Sequence, residues 1–460
     1  MISSFPLTDY ALRWLEVILA ERFGQAWQLA PTVEGLRLQL VGAEGAILFD
    51  TLCEGFTQAH SDQPFTRWDA EREGWSSVLG GPLPAPGVSD LPSPLIELRG
   101  TAQVIHYDIL GLTYWMLARV EEIGRTDLDN HGRFPATASH AFKHGYLDRP
   151  VVDEWLYLLG QVIQRQWPNL ILKKHKARTV ISCDVDNPFA LDGTILRALK
   201  RAMGDLYYRR SPKTCLQTLH AGLHARRNDY RFDPYRNAIN FIMNVNEDLG
   251  NHVSFFLIPE NTDVKLDHCV NLDEPRMRDL MKEIASRGHN IGIHPGYMSY
   301  RDSSQMSRSV ETLNRVLKEE SIPTAISGRQ HYLRWDPKIT PKLYQDHGIK
   351  FDHSVGYADC IGFRSGTSFD YSFFNAYSQQ ALKLRIQPLI VMEFTLIGEK
   401  YNGLSVKKNA GNQIKIIKDK CCKVNGVFSL LWHNHLLIDT PNKALYYRAL
   451  SNNCDIKECN

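Results

Sequence analysis

The stretch Thr179-Val180-Ile181-Ser182-Cys183-Asp184-Val185-Asp186-Asn187-Pro188 decides the fold. An apolar run with β-branched residues stops in two acids and an Asn-Pro turn, the pattern of a buried strand that delivers carboxylates to the rim of a sheet. Side chains alternate along a strand, so Asp184 and Asp186 face one side and Val185 the other. Six more short apolar runs follow, at 252–259, 290–294, 324–329, 349–354, 389–396 and 427–433. Helical patterns at 274–287, 305–320, 336–347 and 413–424 lie between most of them. This alternation predicts parallel strands with crossover helices. Seven units predict an α/β fold built on an incomplete seven-stranded (β/α) barrel over residues 173–450. A basic helical insertion is expected at 188–251, carrying Lys200, Arg201, Arg209, Arg210 and Lys213, and a disordered tail at 451–460.

Residues 1–172 have a different rhythm and predict a smaller α/β domain. Strand-like runs at 36–41 and 46–52 flank a Gly-Ala-Glu-Gly turn. The Gly- and Pro-rich stretch 80–94 reads as loop, and helical runs follow at 109–123 and 151–166. The whole chain of 460 residues is long enough for two or three domains. At 43% hydrophobic and 23% charged residues it is a packed globular protein. A net charge of +2 gives no reason to expect nucleic acid. No apolar run reaches membrane-spanning length, and the start lacks a signal-peptide pattern, so a cytoplasmic location is expected. Nine scattered cysteines without a C-x-x-C pair indicate reduced thiols, not a zinc finger or a disulfide framework.

Polar groups gather at the ends of the predicted barrel strands. Asp184 and Asp186 close the first and His294 the third. Arg329, with His331 two residues on, closes the fourth; Glu393 lies among apolar residues in the sixth; His433 ends the seventh. Barrel sites are built from the C-terminal ends of several strands. Two adjacent carboxylates repel unless a cation lies between them. A buried glutamate such as Glu393 is costly unless paired, which points it inward.

With these residues the second half resembles the polysaccharide deacetylase superfamily. Ser182-Cys183-Asp184-Val185-Asp186 is similar to the T-F-D-D-G motif with one extra residue between the acids. His294, preceded by Gly288-His289-Asn290-Ile291-Gly292, stands at the first histidine of H-[ST]-x-x-H, and Met298 stands at the second. Arg329-Gln330-His331-Tyr332 is similar to R-x-P-[YFW], with histidine for proline. Leu430-Leu431-Trp432-His433 resembles L-x-L-H. The resemblance implies that Asp184 is a general base, Asp186 a metal ligand and His433 a general acid. The stretches His106–Glu122 and Leu147–Trp155 are similar to the α/β region that precedes the barrel in one bacterial branch of these proteins.

Met298 is a poor ligand for a hard divalent ion, and a catalytic zinc normally has three protein ligands and a water. His331 is the candidate third ligand, with a substrate contact as its other role. Arg329 is expected to hold Asp184, and either Glu393 or Asp352 to orient His433. Tyr297, Tyr332 and Arg364 are candidate substrate contacts; a Tyr297 packed on the rim is the other expectation for that residue.

The resemblance, with these residues, implies a hydrolase with a divalent metal, expected to be zinc, that removes an acetyl group from an N-acetylated sugar or glycan precursor. The partner is then a carbohydrate, and the basic insertion admits peripheral membrane contact. Two other readings stand beside it: a C–N hydrolase acting on a cyclic amide or ureide, and an inactive barrel that binds carbohydrate or a partner protein.

Overall fold

The computed structural model describes residues 6–208, 210–268, 270–398 and 409–451. Its first sheet is built from short runs of three to six residues. These are β1 (Trp27–Thr32), β2 (Gly35–Leu40), β3 (Ile47–Phe49), β6 (Ile96–Arg99) and β7 (Ala102–Ile105), in the order β1-β2-β3-β7-β6. Between β3 and β6 a small ladder pairs β4 (Phe65–Trp68) with β5 (Leu83–Pro86). The turn at 41–46 joins β2 and β3 as an antiparallel pair, as its composition predicts. The helix Val151–Gln166 buries Trp155, Leu156, Leu158, Leu159, Val162 and Ile163 and carries Asp153 and Glu154 in its first turn, where the helix dipole favours acids.

The second sheet has nine strands. They are β8 (Arg178–Val185), β9 (Val253–Leu257), β10 (Asn290–Ile293), β11 (Ser327–Gly328), β12 (Phe351–Asp352), β13 (Tyr371–Asn375), β14 (Gln380–Ile386), β15 (Val391–Met392) and β16 (Val427–Leu431). The order is β13-β14-β12-β11-β10-β9-β8-β16-β15. Every pair is parallel except β13 with β14. The architecture is therefore mixed α/β with a large parallel sheet. Among the described residues no ladder joins β14 to β15, so pairing alone does not close the sheet into a ring.

Register explains how distant residues meet. Val185 pairs with Leu257, Leu257 with Ile293, Ile293 with Gly328, and Gly328 with Asp352. One step beyond this row stand Asp186, His294, Arg329 and His353. On the other side Leu431 pairs with Ser182, which brings His433 level with Asp184. Gly292 is needed in β10, because a Cβ there would lie 2.5 Å from the Phe256 ring and 2.8 Å from the Ser327 carbonyl.

The two sheets are joined by buried polar contacts. Arg364 donates to both carboxylate oxygens of Glu122, at 2.9 and 2.6 Å, and to the Gly356 carbonyl at 2.8 Å. Asp153 accepts from Thr367 Oγ1 at 2.6 Å and from the Ser368 N–H at 2.8 Å. It also pairs with Arg22.

Several expectations change. The predicted strand 389–396 is short: pairing covers only Val391–Met392, and Glu393 opens the helix Glu393–Ile397. Continuous apolarity cannot separate a buried strand from a buried helical turn. The hairpin β13–β14 is absent from the sequence expectation, since residues 371–386 mix polar and apolar positions without a two-residue turn signal. Cys422 is disulfide-bonded, against the expectation of uniformly reduced thiols. The expected disordered tail lies outside the described residues apart from Ser451, which ends a helix.

Candidate metal centre

Asp186, His294 and His331 come together, with one ligand atom from each lying within 4.8 Å of the others. His294 Nε2 is 3.4 Å and His331 Nε2 3.9 Å from Asp186 Oδ1. Ligands held tetrahedrally at about 2.0–2.1 Å from an ion lie about 3.3 Å apart, close to both separations. Asp186 Oδ1 is buried and has no hydrogen-bond partner among the described residues. Such an atom is costly unless a proton or a cation meets it.

Both imidazoles are set up as ligands. His294 Nδ1 lies 2.5 Å from the Arg329 carbonyl. A carbonyl only accepts, so Nδ1 carries the proton and Nε2 is the nitrogen facing Asp186. His331 Nδ1 lies 2.6 Å from Asp267 Oδ1 in the same arrangement. A carboxylate or carbonyl behind each ligating histidine fixes its tautomer and ring orientation.

Asp267 is itself held by the N–H groups of Thr262, Asp263 and Tyr297, at 2.7, 2.9 and 2.9 Å, and by the Thr262 hydroxyl at 2.8 Å. Burial raises its carboxyl, but His331 and these donors outweigh that and hold it below the usual carboxylate range. Burial likewise opposes ionisation of Asp186, and His294, His433 and His331 reverse the balance and hold it well below that range.

Two further pairs flank the cluster. Arg329 donates from Nη1 to Asp184 Oδ1 at 2.7 Å, from Nη2 to Ser182 Oγ at 2.9 Å and from Nε to the His353 carbonyl at 3.0 Å. The fixed fork of a guanidinium holds the carboxylate in one orientation. Asp184 Oδ2 is 3.7 Å from His294 Nε2. Glu393 Oε1 accepts from the His433 N–H at 2.8 Å and lies 2.5 Å from His433 Nδ1. His433 Nε2 then faces Asp186 Oδ2 at 3.6 Å. Burial lowers this imidazole and Glu393 raises it, for a net rise to about 10. Asp352 does not reach His433; it accepts from Trp335 Nε1 at 2.8 Å and from the Ser354 N–H at 2.8 Å.

Asp184, Asp186, His294, His331, Tyr332 and His433 line one cavity of about 250 Å³. Leu333, Ala358, Met392 and Phe394 form an apolar wall beside them. Tyr332 stands in the left-handed region, at φ 61°. Its carbonyl accepts from Arg133 Nη1 at 2.8 Å. Tyr297 is packed at the rim: its hydroxyl meets His131 Nδ1 at 3.2 Å, and its ring lies under Arg334. Met298 is exposed and in contact with Arg334 Nη1, so the position of the second motif histidine turns away from the cluster. Arg364 stands apart: it is buried against Glu122 and does not line the cavity. An arginine in a Gly- and Ser-rich stretch reads as a loop contact, but here it fills the seam between the two sheets.

No curated protein matches the chain. Residues 57–168 match the model of a family of unknown function, DUF7033. The chain is similar to solved structures of proteins assigned as polysaccharide deacetylases. One, from Mycobacterium smegmatis, is 12% identical over 62% of this chain and 86% of its own, with a TM-score of 0.41. Another, from Pseudomonas aeruginosa PAO1, is 11% identical over 60% of this chain and 84% of its own, with a TM-score of 0.36. An allantoinase is 14% identical over 71% of this chain and 89% of its own, with a TM-score of 0.37.

Sequence reasoning missed Asp267, His131 and Arg133. All three lie in loops, where no periodicity marks a residue that points inward. Asp267 leaves a faint trace in Asn261-Thr262-Asp263, whose turn residues donate to a carboxylate four or five positions on. His131 and Arg133 line the cavity from the region that also carries the first sheet, and nothing in their local sequence points to this.

Proposed function

We propose that the chain is a metal-dependent hydrolase that removes an acetyl group from an N-acetylated sugar or glycan precursor. The observation that carries the reading is the orphaned Asp186 Oδ1 facing two imidazoles whose other nitrogens are already bonded. We read Asp186, His294 and His331 as the ligands of a divalent ion, with zinc preferred for this donor set. When bound, such an ion supplies Lewis-acid polarisation and a water acidic near neutral pH.

The chain's own groups supply the rest. Asp184, gripped by Arg329 through Oδ1, keeps Oδ2 toward the cavity and takes the water's proton. His433, oriented by Glu393 through Nδ1, holds a proton on Nε2 and gives it to the leaving amine. Leu333, Ala358, Met392 and Phe394 offer the methyl of an acetyl group an apolar seat. Tyr332 contacts the sugar from the cavity edge. The convergence of side chains from β8, β10, β11, β16 and the turn after β15 supports reading the large sheet as an incomplete barrel over residues 173–450. Residues 1–172 are then a separate smaller domain that roofs it.

The test combines elemental analysis of purified protein with acetate release from a panel of N-acetylated sugar precursors. One equivalent of a divalent metal together with acetate release supports the reading. Metal without acetate, but with ring opening of a cyclic amide, favours the second reading, to which the small cavity also lends itself. Absence of both supports a binding barrel.

A further inference from the structure

The helical insertion shows an apolar face to solvent. Its helix Ile195–Tyr207 packs through Ala198, Ala202 and Asp205, which are buried. The partner helix Pro212–Ala225 comes very close there: a Cβ on Gly222 would lie 2.4 Å from that of Ala198. The buried face is therefore made of small residues, and the large apolar ones lie elsewhere. At about 100° per residue, Ile195, Leu196, Leu199, Met203, Leu206 and Tyr207 share one arc of about 120°. All six are exposed, Leu196 at 75% and Tyr207 at 78%. Tyr208 follows at 83%. Seven large apolar residues are thus exposed between Ile195 and Tyr208, six of them on one arc, which makes a patch and not scattered exposure.

Basic residues lie in the same hairpin. Lys200, Arg210, Lys213, Arg226 and Arg227 are exposed and have no ion pair among the described residues. Asp205, in contrast, is buried and accepts from Thr218 Oγ1 at 2.5 Å. A second copy of the chain docking on this face would bring two such basic sets together. An apolar stripe with tyrosines at its end and cations in the same hairpin fits the boundary between headgroups and acyl chains of an anionic bilayer.

We propose that this helical hairpin seats the protein on membranes containing anionic lipid. The hairpin is rooted beside the cavity: it departs from β8 just after Asn187, a cavity residue. Arg201 lies over the Tyr235 ring at 4.7 Å, and Tyr235 meets His435, another cavity residue, at 6.1 Å. Where the hydrolase reading holds, on which this second step rests, the sugar is the head of a lipid-carried precursor.

The test is co-sedimentation of the full chain with vesicles of phosphatidylcholine alone and of phosphatidylcholine with phosphatidylglycerol. Binding to the anionic vesicles is expected, weakening at high ionic strength. Leu196→Glu with Met203→Glu should lower it by about tenfold or more, because both side chains leave the apolar phase. Metal content and thermal midpoint should stay unchanged, since both positions are exposed. Three results overturn the proposal: no binding to anionic vesicles, binding indifferent to the double substitution, or a stable dimer that the same substitution dissolves. The double variant should also slow turnover of a vesicle-borne acetylated substrate but not of a soluble one. Absence of turnover on both, with vesicle binding intact, removes the hydrolase reading and leaves the docking surface standing.

Discussion

Both sheets place acids and histidines just past the ends of parallel strands, yet the two sets end differently. In the first sheet β3 and β7 run parallel, and Asp50, His106 and Asp108 follow their ends. His106 Nδ1 meets Asp50 at 2.8 Å. Asp108 caps the helix Ile109–Leu117: Oδ1 accepts from the Gly111 N–H at 2.7 Å and Oδ2 from the Cys53 N–H at 3.0 Å. Both its oxygens are satisfied by backbone. In the second sheet Asp186 keeps an oxygen with no donor among the described residues, and the histidines around it turn their bonded nitrogens outward. Strand-end acids therefore become a candidate site only where local structure leaves them unsatisfied.

The sharpest way to break this contrast is to remove one carboxylate from each set. Asp184→Asn should lower acetate release by about a thousandfold with metal content unchanged. Asp108→Asn should leave turnover intact and cost about 1 kcal/mol of stability, read by denaturant unfolding. Equal losses of turnover in both variants would erase the distinction.

The seam between the sheets comes next. Arg364→Met leaves Glu122 buried with only Arg119 beside it. It should destabilise by about 3 kcal/mol in thermal unfolding. A change confined to substrate affinity would instead return Arg364 to the role of a substrate contact.

Histidines sharpen the comparison through pH. In the first region His140 is buried and neutral: the Tyr146 hydroxyl is placed to donate to Nδ1 at 2.6 Å, and Nε2 donates to the Gln63 carbonyl at 3.1 Å. Burial, reinforced by His144, depresses it from 6.5 to about 4. A depressed imidazole contributes stability that is complete above pH 6.5 and lost as pH falls toward 4. The loss amounts to about 3 kcal/mol. Denaturant unfolding of wild type and His140→Asn at neutral and acid pH measures it, and the variant should show the shallower slope.

A more modest effect than at Asp184 is expected at Asp267→Asn. The residue supports His331 without facing the cavity, so metal affinity should fall about 10- to 100-fold while the fold stands. An unchanged affinity would make His331 a substrate contact instead.

The β/α alternation of the second half was legible because its strands are buried on both faces and read as short continuous apolar runs. All seven predicted runs contain a strand. The candidate site was legible at strand ends, where Asp184, Asp186, His294, Arg329 and His433 follow apolar runs directly. It was illegible in loops: Asp267, His131 and Arg133 reach His331 or the cavity through chain paths that no local pattern encodes. Glu393 was rightly picked out as a carboxylate in need of a partner, though it begins a helix and does not lie in a strand. The first sheet was only half legible, since β6 and β7 are four residues each and flank a turn with little punctuation.

Met298 turns outward, onto Arg334. With that position vacated, the candidate ligands come from the ends of three different strands, β8, β10 and β11, of which β10 and β11 share a single paired position. A cation there would bridge segments that backbone pairing joins only weakly. Because it would bind the native chain and not the unfolded one, loading at about a hundred times its dissociation constant would raise the unfolding free energy by about 2.7 kcal/mol. Chelation should then lower the melting temperature, an effect visible by calorimetry before any substrate is known.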